Sequence, residues 1–145
     1  MNTRPSLTII RQIKAPPARV FAALTQPDLM IKWWSPDTGP TVSVMADVRP
    51  GGRFSIVFRM ANGQEHNPQG VYQEILPDQK LVFTWEWPGS AEKESLVTFR
   101  LAAKDGGTEL ILTHEQLPDA EAQISHERGW NGLLNRLDIF MGKSL

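Results

Sequence analysis

The sequence predicts an α+β fold: an antiparallel sheet of about six to seven strands covered on one face by a long C-terminal helix. Three observations point there. From residue 41 to 115 apolar residues alternate with polar ones in short runs, separated by turns rich in Gly, Pro, Asn and Asp. After Asp119 the period becomes helical and persists to Met141. The 145 residues suit one domain, 1–145, and leave little room for two.

The elements follow in chain order. In Leu7–Ile13, Leu7, Ile9 and Ile13 share a strand face that Arg11 interrupts. Pro16 and Pro17 end that strand, and proline suits the first turn of a helix. Val20, Phe21 and Leu24 mark a short amphipathic helix over 18–24. A second short helix is expected over 29–34, with Pro27 near its start and Trp33-Trp34 at its junction with the 35–40 loop. Strands follow on Val42, Val44 and Ala46, and on Phe54, Ile56, Phe58 and Met60, around a 49–52 turn. Asn62-Gly63 is a hairpin signal. Pro68 and Gly70 interrupt the 65–76 strand, which implies an edge position or a bulge. Leu81, Phe83, Trp85 and Trp87 form the next strand face, with Thr84 and Glu86 opposite. After a Pro88-Gly89-Ser90 turn come strands over 96–102 and 109–115, joined by a 104–107 turn. Trp130, Leu133, Leu134, Leu137 and Met141 then make a helical stripe. Gly129 beside that stripe costs about 1 kcal/mol relative to Ala, so it implies close packing or a break between two helical pieces.

Composition removes several function classes. With 41% hydrophobic residues the chain is not disordered. No apolar run is long enough for a membrane span. Met1–Lys14 lacks an apolar signal core, so a cytoplasmic location is expected. The absence of Cys excludes disulfides, a thiolate zinc site and a Cys nucleophile. A net charge of −1 with no basic stripe argues against a nucleic-acid partner. The three His are too scattered for a metal site, and no dinucleotide, phosphate-loop or Ser-His-Asp signature points to a cofactor or a catalytic motif. Gly51-Gly52 reads as a turn.

Five Trp against one Tyr is the odd feature. Buried Trp seeks a partner for its N–H, so five imply either a heavy aromatic core or an aromatic-lined pocket. The candidates for a pocket wall are Trp33, Trp34, Phe54, Ile56, Phe58, Phe83, Trp85, Trp87, Trp130 and Leu134; for each, ordinary core is the competing reading. His66 and Tyr72 share a parity that aims them inward, and His114 shares one with Leu110 and Leu112. An inward His near a pocket orients a ligand or moves protons; otherwise it is a core His held by one hydrogen bond. His126 and Glu127 precede Trp130 by about a turn and read as a local helical arrangement. Glu86 reads as solvated, and Glu74 as either inward or outward.

Several short stretches together resemble a known family. Ile13-Lys14-Ala15-Pro16-Pro17-Ala18-Arg19-Val20-Phe21 resembles its "I-x-A-P-x-x-x-V-F" entry motif. Arg49-Pro50-Gly51-Gly52-Arg53-Phe54 resembles its "R-x-G-G-x-F" turn. Trp33-Trp34, Leu81-Val82-Phe83-Thr84-Trp85 and His126-Glu127-Arg128-Gly129-Trp130 complete an ordered set over nearly the whole chain. The family is the SRPBCC, START-related or helix-grip superfamily, in its group similar to the activator of heat-shock protein 90 ATPase homologue. The resemblance implies a curved sheet gripping the C-terminal helix around a deep apolar cavity. It also implies a hydrophobic small-molecule ligand, a stress-response setting, or cyclase or hydrolase activity. The family's eukaryotic namesakes act on a chaperone with an added N-terminal domain, for which 145 residues leave no room.

The leading expectation is therefore a carrier, sensor or sequestering protein for a hydrophobic small molecule. The alternatives are a cyclase or hydrolase using His114, His66, Tyr72 or Glu74 for acid–base work, and a chaperone partner. A homodimer is compatible with each of these.

Overall fold

A computed structural model describes residues 4–35, 37–89 and 94–143. Pro36 and Ser90, read above as loop residues, lie outside that set, as do Met1–Thr3. The order is β1 (Leu7–Ile13), α1 (Pro17–Thr25), α2 (Pro27–Met30), β2 (Thr41–Ala46), β3 (Arg53–Arg59), β4 (Glu65–His66), β5 (Gln69–Leu76), β6 (Lys80–Trp85), β7 (Ser95–Lys104), β8 (Gly107–Glu115) and α3 (Ala120–Lys143). Seven strands run β1-β8-β7-β6-β5-β3-β2 in one curled, wholly antiparallel sheet, and β4 extends the pairing along β3. This is the α+β sheet and terminal helix that the periodicities predict.

Local chemistry explains the joints. The β7–β8 hairpin closes on Asp105-Gly106, both at positive φ, between the pair Lys104↔Gly107. That is the two-residue turn whose twist matches antiparallel strands. The 65–76 segment is interrupted as expected, yet it is not an edge: β5 lies between β3 and β6. Pro68 has no N–H to give the carbonyl of Ile56, and the Asn67 side-chain amide supplies one at 2.8 Å. β4 and β5 therefore keep a single register on β3, with Phe58↔His66 and Phe54↔Gly70. Gly70 is required there, because a Cβ would stand 1.9 Å from the Thr84 carbonyl oxygen and 2.6 Å from the Phe54 ring.

The second helix is shorter and earlier than the 29–34 expected. Pro27 occupies its first turn, and after Met30 the chain tightens, with the Trp33 N–H on the Met30 carbonyl. β6 has no polar face either: Leu81, Val82, Phe83, Thr84 and Trp85 are all buried. The core fills the concave side of the sheet beneath α1 and the C-terminal half of α3, which contributes Trp130, Leu133, Leu134, Leu137 and Met141. Arg11, the misfit on β1, reaches α3 and donates to Asn135 and Asn131 Oδ1, each at 2.9 Å. Gly129 neither breaks α3 nor packs closely; a Cβ there meets nothing within 4 Å.

Candidate functional site

Among the described residues, the curl of the sheet and the length of α3 leave an opening at one end of the sheet. The first two turns of α3 overhang the ends of β3, β4 and β6 without packing tightly on them, and only Ala122 is buried before Trp130. Under this overhang lies a cleft of about 850 Å³. Its apolar walls are Phe58, Met60, Trp85, Trp87, Trp130 and Leu133; Gly129, Ala122 and Ser125 form the α3 side. His66 and His126 stand among them, and Asp37, Asp119, Glu121 and Arg128 border it. The size and the apolar walls with a few polar groups are typical of small-molecule sites.

The deep interior is different. Phe54, Tyr72, Phe83 and Phe99 interlock edge-on, tilted or stacked with ring centroids 5.1–6.1 Å apart, and the space left beside them is about 10 Å³. The deep cavity implied by the resemblance is thus filled by aromatic side chains, and the open volume sits at one end.

Behind the cleft wall the histidines are fixed in their tautomers. The Trp130 indole N–H, which only donates, lies 2.9 Å from His114 Nδ1. Nδ1 is therefore a bare acceptor, and the proton of the neutral ring is on Nε2, facing Ser95 Oγ at 2.6 Å. Ser95 passes its own hydrogen to the Trp85 carbonyl at 3.3 Å. Burial, helped by the neighbouring His126, pushes His114 down to about 3, so it stays neutral. This Ser-His contact has the opposite polarity from a nucleophile and its base, since the His donates to the Ser. His126 has the other tautomer. Trp87 Nε1 donates to its Nε2 at 3.1 Å, and its Nδ1 donates to the Ala122 carbonyl at 2.8 Å. The two imidazoles meet edge to face, centroids 4.8 Å apart.

Over residues 14–142 the chain matches the family described as Activator of Hsp90 ATPase homolog 1-like protein. The chain belongs to that family. Among solved structures it resembles a Chromobacterium violaceum protein at 27% identity and TM-score 0.86, covering 96% of this chain and 98% of that one. A Nitrosomonas europaea protein superposes at TM-score 0.81 with 21% identity, covering 99% and 97%. An AHSA1-like protein of Aeromonas hydrophila does so at 0.81 with 19% identity, covering 95% and 92%; these last two show the fold alone. No curated protein matches the sequence significantly.

Of the residues singled out from sequence, the fold brings Phe58, His66, Trp85, Trp87 and Trp130 together on the cleft. Trp33 and Trp34 do not line the cleft: both are 2% exposed in the core, and Trp33 donates to the Ala23 carbonyl. Phe54, Ile56, Tyr72, Phe83 and Leu134 are core residues away from the cleft, and His114 stands behind its wall. Glu74 pairs with Lys80 and Glu86 with Arg53, at partly exposed positions. His126, read as a local helix feature, borders the cleft. Met60, Asp37, Ser125 and Gly129 escaped selection. Two of them carried a signal: Met60 shares the strand face of Phe54, Ile56 and Phe58, and Gly129 has its helical penalty. Among the described residues no helix is long and apolar enough to cross a membrane, and no cluster of His, Asp and Glu is arranged to hold a metal.

Proposed function

We propose that this protein binds a hydrophobic small molecule, with an aromatic or otherwise flat apolar part, in the cleft beneath the start of α3. The observation that carries the reading is the concentration of three of the five Trp, with Phe58 and Leu133, around about 850 Å³ of open volume. Family membership supports it, since the fold commonly holds hydrophobic ligands. Gly129 adds support: it weakens α3 and keeps cleft space open. A carrier or sensor role in the cytoplasm fits this reading. Acid–base catalysis by His114 is disfavoured by its closed hydrogen bonds and its position behind the wall. For a chaperone partner, as the family description suggests, a joined apolar patch is wanted. The most exposed apolar side chains, Ile10, Met45, Ile124 and Ile139, come instead from β1, β2 and α3.

Trp fluorescence titrated with fatty acids, polyketides and fused-ring aromatics tests the reading. Saturable quenching by one class, lost in Gly129→Trp with the melting temperature kept, is the expected result. No saturable response from any class, or equal binding by the filled variant, refutes it.

A further inference from the structure

Two cleft-wall indoles donate to imidazoles: Trp130 to the fully buried His114, and Trp87 to His126, which is itself part of the cleft lining. Trp87 follows the end of β6, is half-buried, and its indole N–H donates across to α3 at His126 Nε2, 3.1 Å away. Its ring also touches Trp85 edge-on at 5.4 Å and His66 at 6.1 Å. The indole N–H cannot accept, and the Ala122 carbonyl on the other side of the imidazole cannot donate. Only the neutral ring with its proton on Nδ1 satisfies both neighbours.

We propose that the Trp87–His126 hydrogen bond is a proton-operated latch on the cleft wall: neutral His126 holds Trp87 against α3, and a proton on Nε2 releases it. The proposal rests on the reading of the cleft as a ligand site for its consequence, but not for its chemistry. A proton arriving at Nε2 places donor against donor at hydrogen-bond distance, so the pair must part. The Nδ1–H bond to Ala122 survives, and so His126 stays on the helix while the Trp87 indole N–H loses its acceptor. The wall on which an apolar ligand would stack then comes apart, and binding weakens as the pH falls. Linkage requires the converse: a ligand that favours the latched wall lowers the proton affinity of His126.

The titratable and charged groups around this ring come from several elements. β8 contributes His114, which burial keeps neutral. β4 contributes His66, and the 35–40 loop Asp37. On α3 itself Asp119, Glu121 and Arg128 border the same cleft. Histidine is the side chain suited to gaining charge within the physiological range.

The test uses the full chain labelled with 15N-Trp and acidified from about pH 8 to about pH 5, the span over which histidines commonly change charge. The Trp87 indole resonance, assigned by its loss in Trp87→Phe, is expected to shift in one step in the wild type. It should stay put in His126→Gln, whose side-chain oxygen accepts at any pH; His126→Asn serves if that variant does not fold. The affinity for N-phenyl-1-naphthylamine, an uncharged apolar probe, is expected to fall about fivefold over the same step in the wild type and to stay flat in the variant. A Trp87 indole that does not titrate in the wild type, or titrates equally without His126, overturns the latch. Absence of probe binding at every pH while that indole still titrates with His126 sinks the ligand reading and leaves the latch standing.

Discussion

The neutral state of His114 makes stability depend on pH with a calculable slope. In the folded protein its pKa is about 3, against an ordinary 6.5, because the ring is buried and has the His126 ring beside it. Below pH 6.5 the unfolded chain binds a proton that the folded chain refuses. The unfolded state then binds more protons, so stability falls as pH falls and is fully present only above 6.5. Each pH unit in that window removes about 1.4 kcal/mol, and the whole window to pH 3 removes roughly 5 kcal/mol. A domain of this size has about 5–15 kcal/mol in total, so this one residue weighs heavily in acid unfolding. The perturbation is His114→Gln. The amide oxygen can accept from Trp130 and the amide nitrogen can donate to Ser95, with nothing to titrate. Urea unfolding of both proteins is measured from about pH 7 to about pH 5. Between about pH 6.5 and 5 the wild type should lose about 2 kcal/mol more than the variant, while the carboxylates common to both cancel. Parallel pH profiles would show that His114 is protonated in the folded state, and the tautomer argument would fall with them.

Other outcomes follow from the same contacts. Gly129→Ala should raise stability by up to about 1 kcal/mol, seen as a higher melting temperature, because the added methyl meets nothing within 4 Å in an unbroken helix. Gly70→Ala should do the reverse by about 3 kcal/mol or fail to fold, since the methyl meets the Thr84 carbonyl at 1.9 Å; soluble yield and thermal melting decide it. Arg11→Met should cost about 1–2 kcal/mol in urea by severing the ties from β1 to Asn131 and Asn135, and unchanged stability would mean those bonds merely replace water. Trp130→Phe should leave His114 Nδ1 unpaired and cost about 1–3 kcal/mol beyond the lost ring volume, read against Trp33→Phe, which strips the Ala23 carbonyl of its donor.

Much of this molecule is legible before any coordinates. The alternation at Phe54, Ile56 and Phe58, the Asp105-Gly106 turn and the stripe from Trp130 to Met141 each lie within a few residues of contiguous chain. Local stereochemistry reads such patterns directly, which is why element type, order and antiparallel pairing follow from them. Parity also placed His114 and His66 on the inner side, and the continuous β3 register preserved it for His66 across Pro68.

Depth along that inner side is another matter. Alternation says that Phe54, Phe58, Phe83 and Trp85 face inward, but not which of them meet one another and which meet an opening. The curl of the sheet and the overhang of α3 decide that, closing the interior over Phe54 and Phe83 and leaving the cleft at Phe58 and Trp85. The same holds for the five Trp. Composition left core and pocket as alternatives, and the fold uses both: Trp33 and Trp34 are core, while Trp85, Trp87 and Trp130 border the cleft. The histidine tautomers depend on partners 39 and 16 residues away in the chain, Trp87 for His126 and Trp130 for His114. No local pattern encodes such a meeting, because a hydrogen bond is fixed by distance in space, and only the packed sheet and helix bring those rings within reach.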